Sequence, residues 1–290
     1  CIFGGVKFLY VSPERLASED FRSRLKQIKI NLLAVDEAHC ISQWGYDFRP
    51  PYLRIAEVRE MLEGVPVLAL TATATIKVAD DITTQLHFKT KNIFSKSFQR
   101  KNLSYVVRQT ADKQNQLLNV LNKVPGTSVV YVRSRKGTKD AAQFLKANKI
   151  SADFYHAGLG SDERSKKQDD WVNNKTRVMV CTNAFGMGID KPDVRTVIHL
   201  DVPESLEAYF QEAGRAGRDE KKAYAVLLVN HDDKKNILES INNFPSVADL
   251  QNTYEQLCNF FGLALNFDSK LSYSFDIGRF VMYSKMNTTK

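Results

Sequence analysis

Two short segments carry the residue types that phosphoryl transfer requires. Asp36-Glu37-Ala38-His39 follows the apolar run Ile30 to Val35, and Gln211-Glu212-Ala213-Gly214-Arg215-Ala216-Gly217-Arg218 places two arginines three residues apart. A carboxylate pair at the end of a buried strand suits a magnesium ion and an attacking water, while guanidiniums from a second domain suit the charge that builds on a transferred phosphoryl group. Such a pair normally faces a Gly-x-x-x-x-Gly-Lys-Ser/Thr loop, yet no Gly-Lys dipeptide occurs in the 290 residues. The chain therefore reads as part of an enzyme.

Asp36 falls at the carboxyl end of an expected strand, where open α/β sheets place their ligands. It would hold Mg2+ mostly through water, because Mg2+ keeps part of its hydration shell. Glu37 would polarise the attacking water. His39 follows at the spacing of a DEAH box, and Leu70-Thr71-Ala72-Thr73-Ala74 supplies small hydroxyl residues able to connect that histidine to a nucleic-acid side, with Thr75 as a helix cap. In the second half, Val178 to Cys181 runs into Thr182-Asn183-Ala184-Phe185-Gly186-Met187-Gly188-Ile189-Asp190. The two glycines allow close backbone approach, and Asp190 sits where a strand-to-loop segment meets nucleotide or the opposite domain. A helix through Gln211 to Arg218 would set Gln211 and Arg215 one turn apart and aim Arg215 and Arg218 at one cleft.

The elements that must position these groups are legible as short apolar runs alternating with helical patterns, as in parallel sheets with crossover helices. The strand candidates are Phe8 to Val11, Leu32 to Val35, Val67 to Leu70, Ser128 to Val132, Ala152 to Tyr155, Val178 to Cys181, Thr196 to Leu200 and Ala223 to Val229. Lacking strict alternation, they should be buried on both faces. Ser12-Pro13-Glu14 predicts a capped helix through Leu16, and Pro245-Ser246 one whose Leu250, Tyr254, Leu257 and Phe261 share a face, closed by Gly262. Lys89 to Leu103, polar and basic, is the expected interdomain linker.

Composition bounds the rest. The chain is 43% hydrophobic and 26% charged, enough for two ordinary cores, with a formal net charge of +8 that favours a polyanionic partner. No apolar run approaches the ~18 residues that span a bilayer. Cys1, Cys40, Cys181 and Cys258 form no Cys-x-x-Cys pair, so a reduced compartment and no zinc cluster are expected.

The run Val35-Asp36-Glu37-Ala38-His39-Cys40-Ile41-Ser42-Gln43-Trp44-Gly45-Tyr46-Asp47-Phe48-Arg49-Pro50 resembles the DEAH box and aromatic-rich loop of RecQ-type DNA helicases. Tyr10 to Leu16, Leu70 to Thr75, Tyr155-His156-Ala157-Gly158-Leu159, Phe185 to Val194 and Gln211 to Asp219 fall in that family's order. The resemblance implies two RecA-like α/β domains around an ATP cleft, the first incomplete, and a short helical C-terminal segment. It further implies ATP-driven 3′-to-5′ unwinding in DNA repair or recombination, with ATP and Mg2+ as cofactors and DNA bearing a single-stranded 3′ tail as partner. By the same resemblance Asp36 and Glu37 are the magnesium and water-activating carboxylates, Arg215 and Arg218 the arginine fingers with Gln211 beside them, and Asp190 the interdomain residue next to the nucleotide. Trp44, Phe48 and Arg49 match the loop that reports bound single strand, and His156 and Thr182 match positions on the DNA backbone. Gly45, Asp47, Pro50 and Pro51 give that loop an exposed composition.

Two departures accompany the match. The family's adenine-recognising segment and phosphate loop should precede residue 1, and its four-cysteine zinc platform has only Cys258 here. The expected divisions are 1–97 for the end of the first RecA-like domain, 98–232 for the second and 233–290 for the start of an accessory region. The competing readings are a non-catalytic DNA-binding module and an RNA helicase of the same superfamily. The cellular place would be the bacterial nucleoid, or the nucleus in a eukaryote.

Overall fold

The computed structural model describes residues 5–45, 47–97, 99–186, 189–242, 245–265 and 273–285; Cys1, Tyr46, Met187 and Gly188 lie outside them. Contacts divide the chain into one unit of residues 1–108 with 113–228 and another of 109–112 with 229–290. Within the first unit, β1 (Leu33–Val35) and β2 (Val67–Ala69) pair in parallel, with Val35 beside Ala69. Around them stand α1 (Glu19–Leu25), α2 (Arg54–Met61) and α3 (Ile76–Gln85), which enclose Leu16, Leu25, Val35, Ile41, Ile55, Val58 and Ile82.

The larger sheet is built from β3 (Leu103–Gln109), β4 (Thr127–Tyr131), β5 (Ala152–Tyr155), β6 (Val178–Cys181), β7 (Val194–His199) and β8 (Ala223–Val229), in the order β3-β8-β7-β4-β6-β5. The pairings β4 with β6, β4 with β7, β5 with β6 and β7 with β8 are parallel. The crossover helices are α4 (Lys113–Lys123), α5 (Arg135–Ala147), α6 (Ser161–Val172) and α7 (Leu206–Ala213). Successive residues of β4 and the one after it enter two different cores: Val129 and Tyr131 join Trp171, Met179 and Phe185, while Val130 and Val132 join Leu117, Leu121 and Leu145. Side chains alternate across a strand, so a sheet with a core on each face needs the continuous apolar run seen here.

The structure corrects several expectations. Phe8 to Val11 is not a strand: Phe8 and Tyr10 are 78% and 91% exposed, and among the described residues no neighbouring strand supplies the hydrogen bonds that would hold one. β1 and β2 are only half buried, unlike β4 and β6. The Ser12 turn is a short 3-10 helix, Pro13–Ala17, without a side-chain cap, and the capping hydroxyl belongs to Ser18, which accepts from the Phe21 N–H at 3.4 Å. β3 went unforeseen because it is an edge strand whose polar alternation hides it.

The second unit holds α8 (His231–Asn242), α9 (Val247–Phe261) and α10 (Ile277–Ser284). α9 opens on a reciprocal capping box between Ser246 and Asp249 and closes at Gly262 in the left-handed region, as its sequence predicts. The aromatic tail packs on it: Phe260 meets Phe280 and Tyr283 with ring centroids 5.6 and 5.3 Å apart, and Tyr273 lies 5.1 Å from Phe261. Leu250 and Tyr254, on the expected apolar face, remain 56% and 46% exposed. No helix among the described residues is long and apolar enough to cross a membrane.

Candidate functional site

β1 ends at Val35, so Asp36 projects from the sheet edge and is exposed. Its Oδ1 accepts the Glu37 N–H at 2.9 Å, fixing the turn. Glu37 takes a left-handed backbone (φ 49°, ψ 42°), a costly conformation for a residue with a side chain. The turn is held because the Leu70 carbonyl accepts the Ala38 N–H at 2.9 Å while the Leu70 N–H donates to Val35 O at 2.8 Å. Burial and the neighbouring Asp36 charge raise the Glu37 carboxyl above its ordinary pKa, with Arg49 and Arg215 pulling the other way. His39 is 2% exposed, and burial lowers its pKa below the ordinary imidazole value. Its Nδ1 lies 3.1 Å from Thr71 Oγ1 and 3.3 Å from Glu37 Oε2, so the hydroxyl strand end does meet the histidine.

Opposite stands the arginine segment, and here the expected helix stops short. α7 ends at Ala213, and Arg215 and Arg218 lie in the following turn. The backbone groups a longer helix would use are already engaged. The Gly217 N–H donates to Val194 O at 2.8 Å, and the carbonyls of Gly214 and Gly217 accept from Arg100 and from Arg100 and Asn102. The expected linker thus docks its last residues against the arginine turn. Arg215 donates to Gly186 O, while Arg218 pairs with Asp190 at 2.8 Å and donates to Ile189 O at 3.3 Å. A side chain on Gly186, whose φ is +127°, would overlap the Arg215 guanidinium, so glycine there is what admits the arginine. Gly188 lies outside the described residues.

Both sides line one cleft of about 1950 Å³ that includes Glu37, Thr71, Gly186, Asp190, Gln211, Arg215 and Arg218. Gln211 Nε2 donates to Glu37 Oε1 at 3.5 Å, a long bond that spans the two halves of the unit. Behind the arginine turn is a buried arrangement that sequence reading missed. His199 Nε2 lies 2.9 Å from Glu212 Oε2, its ring stacks on Tyr131 at 5.2 Å, and Tyr131 OH donates to Phe185 O at 3.1 Å, next to the carbonyl that receives Arg215. Nothing in the spacing of Tyr131, His199 and Glu212 marks them, since they meet only through the sheet order.

In the aromatic-rich loop Trp44 is 64% exposed, as expected, with Lys77 Nζ 3.1 Å from its ring centroid, whereas Phe48 is half-buried. Arg49 donates to Asp47 Oδ2 at 3.0 and 2.6 Å, and its N–H donates to Cys40 O at 2.8 Å, tying the loop to the DEAH turn. His156 and Thr182 follow β5 and β6 at neighbouring strand ends, since Tyr155 pairs with Cys181. Both ring nitrogens of His156 are buried and, among the described residues, have no hydrogen-bond partner.

Two family descriptions match: "DEAD/DEAH box helicase" over residues 2–82 and "Helicase conserved C-terminal domain" over 112–220. A protein of Acanthamoeba polyphaga mimivirus named as an ATP-dependent RNA helicase is 45% identical over 231 residues, covering 78% of this chain and 42% of that protein. The ATP-dependent DNA helicase RecQ of Bacillus subtilis is 44% identical over 232 residues, covering 79% of this chain and 39% of that protein. The chain belongs to the RecQ-type helicase family. It spans less than half the length of these two relatives. Among solved structures, Saccharomyces cerevisiae Dbp5 bound to RNA and ADP-BeF3 superposes with a TM-score of 0.59 at 23% identity, over 76% of this chain and 59% of that one. That likeness establishes the fold, two RecA-like α/β domains.

Proposed function

We propose that this chain carries the catalytic core of an ATP-dependent DNA helicase that moves 3′ to 5′ and serves DNA repair or recombination. The observation that carries the reading is the shared cleft in which Gln211 reaches Glu37 and Arg215 approaches the same carboxylate. Asp36, exposed at the strand end, fits a hydrated Mg2+, which would supply positive charge to the phosphate oxygens. Glu37 polarises the attacking water, and Gln211 fixes the orientation of its carboxylate. Arg215 and Arg218 supply the charge that the transferring phosphoryl group needs, a contribution of ~10³ to 10⁵ in rate for such fingers. Asp190 holds Arg218 ready, and His39 links the water-activating carboxylate to Thr71 and, through Cys40, to the aromatic loop.

DNA with a single-stranded 3′ tail is the proposed partner. Trp44 and Phe48 offer stacking faces worth ~1 to 3 kcal/mol per base without sequence choice. Arg49, His156 and Thr182 serve the backbone. The proposed divisions are 1–97, 98–232 and 233–290. RNA is the second reading, favoured by the name of the mimivirus relative.

The reading also holds that these 290 residues alone do not turn over ATP, because no Gly-Lys phosphate loop is present. Joined to an upstream segment bearing such a loop, the chain should hydrolyse ATP with stimulation by single-stranded DNA. Glu37→Gln should then retain nucleotide and lose most turnover. Vigorous hydrolysis by residues 1–290, or unchanged turnover in that variant, would remove the assignment, and stronger stimulation by RNA than by DNA would favour the second reading.

A further inference from the structure

We propose that Cys40, His39 and Asp47 form an exchangeable site for a thiophilic divalent cation such as Zn2+, whose binding takes Asp47 away from Arg49. Cys40 Sγ lies 3.7 Å from His39 Nε2 and 3.8 Å from Asp47 Oδ2, and all three donor atoms fall within 4.8 Å of one another. A tetrahedral zinc with bonds of ~2.3 Å to sulfur and ~2.0 Å to nitrogen or oxygen separates its donors by roughly 3.5 Å, so the two sulfur pairs already stand near that spacing and the exposed loop that carries Asp47 must close the rest. Thiolate, imidazole and carboxylate together select zinc-like ions over Mg2+, which prefers oxygen donors and water.

The surroundings are those of a metal-binding histidine. The other ring nitrogen of His39 faces Glu37 Oε2 at 3.3 Å and Thr71 Oγ1 at 3.1 Å, and such an outer partner fixes the ring and directs Nε2 toward a metal. Asp47 is held in place by the loop closure between the Arg49 N–H and Cys40 O at 2.8 Å. A water or the second Asp47 oxygen would fill the fourth position. Binding replaces the thiol proton, which is released to solvent, so one proton leaves per ion bound.

An arginine opposes the ion. Arg49 donates to the same Asp47 Oδ2 at 3.0 and 2.6 Å, and a divalent cation must displace it. With its side chain 44% exposed, Arg49 can swing into solvent. The site is therefore weak as built, and its occupancy unlatches the guanidinium from the aromatic loop.

The test is titration of the purified 290-residue chain with Co2+ in excess Mg2+, read by the sulfur-to-cobalt charge-transfer absorption and reversed by Zn2+. One equivalent should bind. Cys40→Ser should abolish the band, Asp47→Asn should weaken binding by more than ~10-fold, and Arg49→Ala should tighten it by about tenfold, because the competing charge is gone. Thermal unfolding of each variant checks the fold. Absence of the band, its survival in Cys40→Ser, or unchanged affinity in Arg49→Ala would overturn the proposal. The last variant lies on the exposed loop and keeps the test decisive even where Cys40→Ser fails to fold.

Discussion

The chain has two tryptophans, and they stand in opposite environments. Trp171, on α6, is 2% exposed, donates its indole N–H to Ser128 O at 3.2 Å and packs edge-on against Phe185 at 5.2 Å. Trp44, in the loop after the DEAH turn, is 64% exposed and touches the Lys77 ammonium. The same contrast holds for the sheets beneath them. β4 and β6 are buried along their whole length, whereas Leu68 on β2 and Leu70 just beyond it are 44% and 46% exposed. One region spends its aromatic surface on stability, and the other keeps it available for a ligand.

The largest effect that would sharpen this contrast is on stability. Trp171→Ala should cost ~3 to 5 kcal/mol in denaturant unfolding, while Trp44→Ala should stay within ~0.5 kcal/mol. Equal losses would break the comparison and make Trp44 a core residue. Next comes a pair of positive-φ glycines, one from each region. Gly64 (φ +78°) has open space around its Cα, so Gly64→Ala should cost only the ~1 to 2 kcal/mol of a left-handed backbone. Gly186→Ala should cost more and should also dislodge Arg215, lowering nucleotide turnover in a chain that carries a phosphate loop. A Gly186→Ala protein as stable as Gly64→Ala, with turnover intact, would show that Arg215 does not depend on that contact.

A smaller signal separates the tryptophans by ligand. Single-stranded DNA should quench Trp44 emission and leave Trp171 unchanged, so the quenching should vanish in Trp44→Phe; persistence there would place the nucleic acid elsewhere. The smallest effect concerns Glu37. Its folded pKa is raised, so folding takes up a proton there: the group stabilises most below its ordinary value of 4.5 and that contribution is lost as pH rises through the folded pKa. Carboxyl NMR titration should find a midpoint above 4.5 that moves down in Asp36→Asn, since the Asp36 charge is the second cause of the shift. A midpoint unmoved by that change would leave burial, with the smaller Asp47 charge, as the cause.

Seven of the eight strands among the described residues correspond to apolar runs in the sequence, and Thr75, Ser246 and Gly262 cap where their residue types predict. Those features are local, set by side-chain hydrophobicity and by backbone donors within a few residues. Phe8 to Val11 failed as a strand because strand formation depends on a neighbour that the run itself cannot provide. Arg215 and Arg218 stand out in the sequence by type and spacing, but the helix drawn through them does not form, because Val194, Arg100 and Asn102 engage the backbone of that turn from distant positions.

The sequence by itself determined the alternation of strands and helices, the identity of the acidic and basic residues, and the exposed character of the Trp44 loop. Only the tertiary structure decided that Gln211 meets Glu37, that His199 and Tyr131 stand behind the arginine turn, and that Asp47 returns to the His39-Cys40 pair. Propensity and capping act over a few residues along the chain, whereas these contacts follow from sheet order and loop closure, which bring together residues that sequence spacing leaves unrelated.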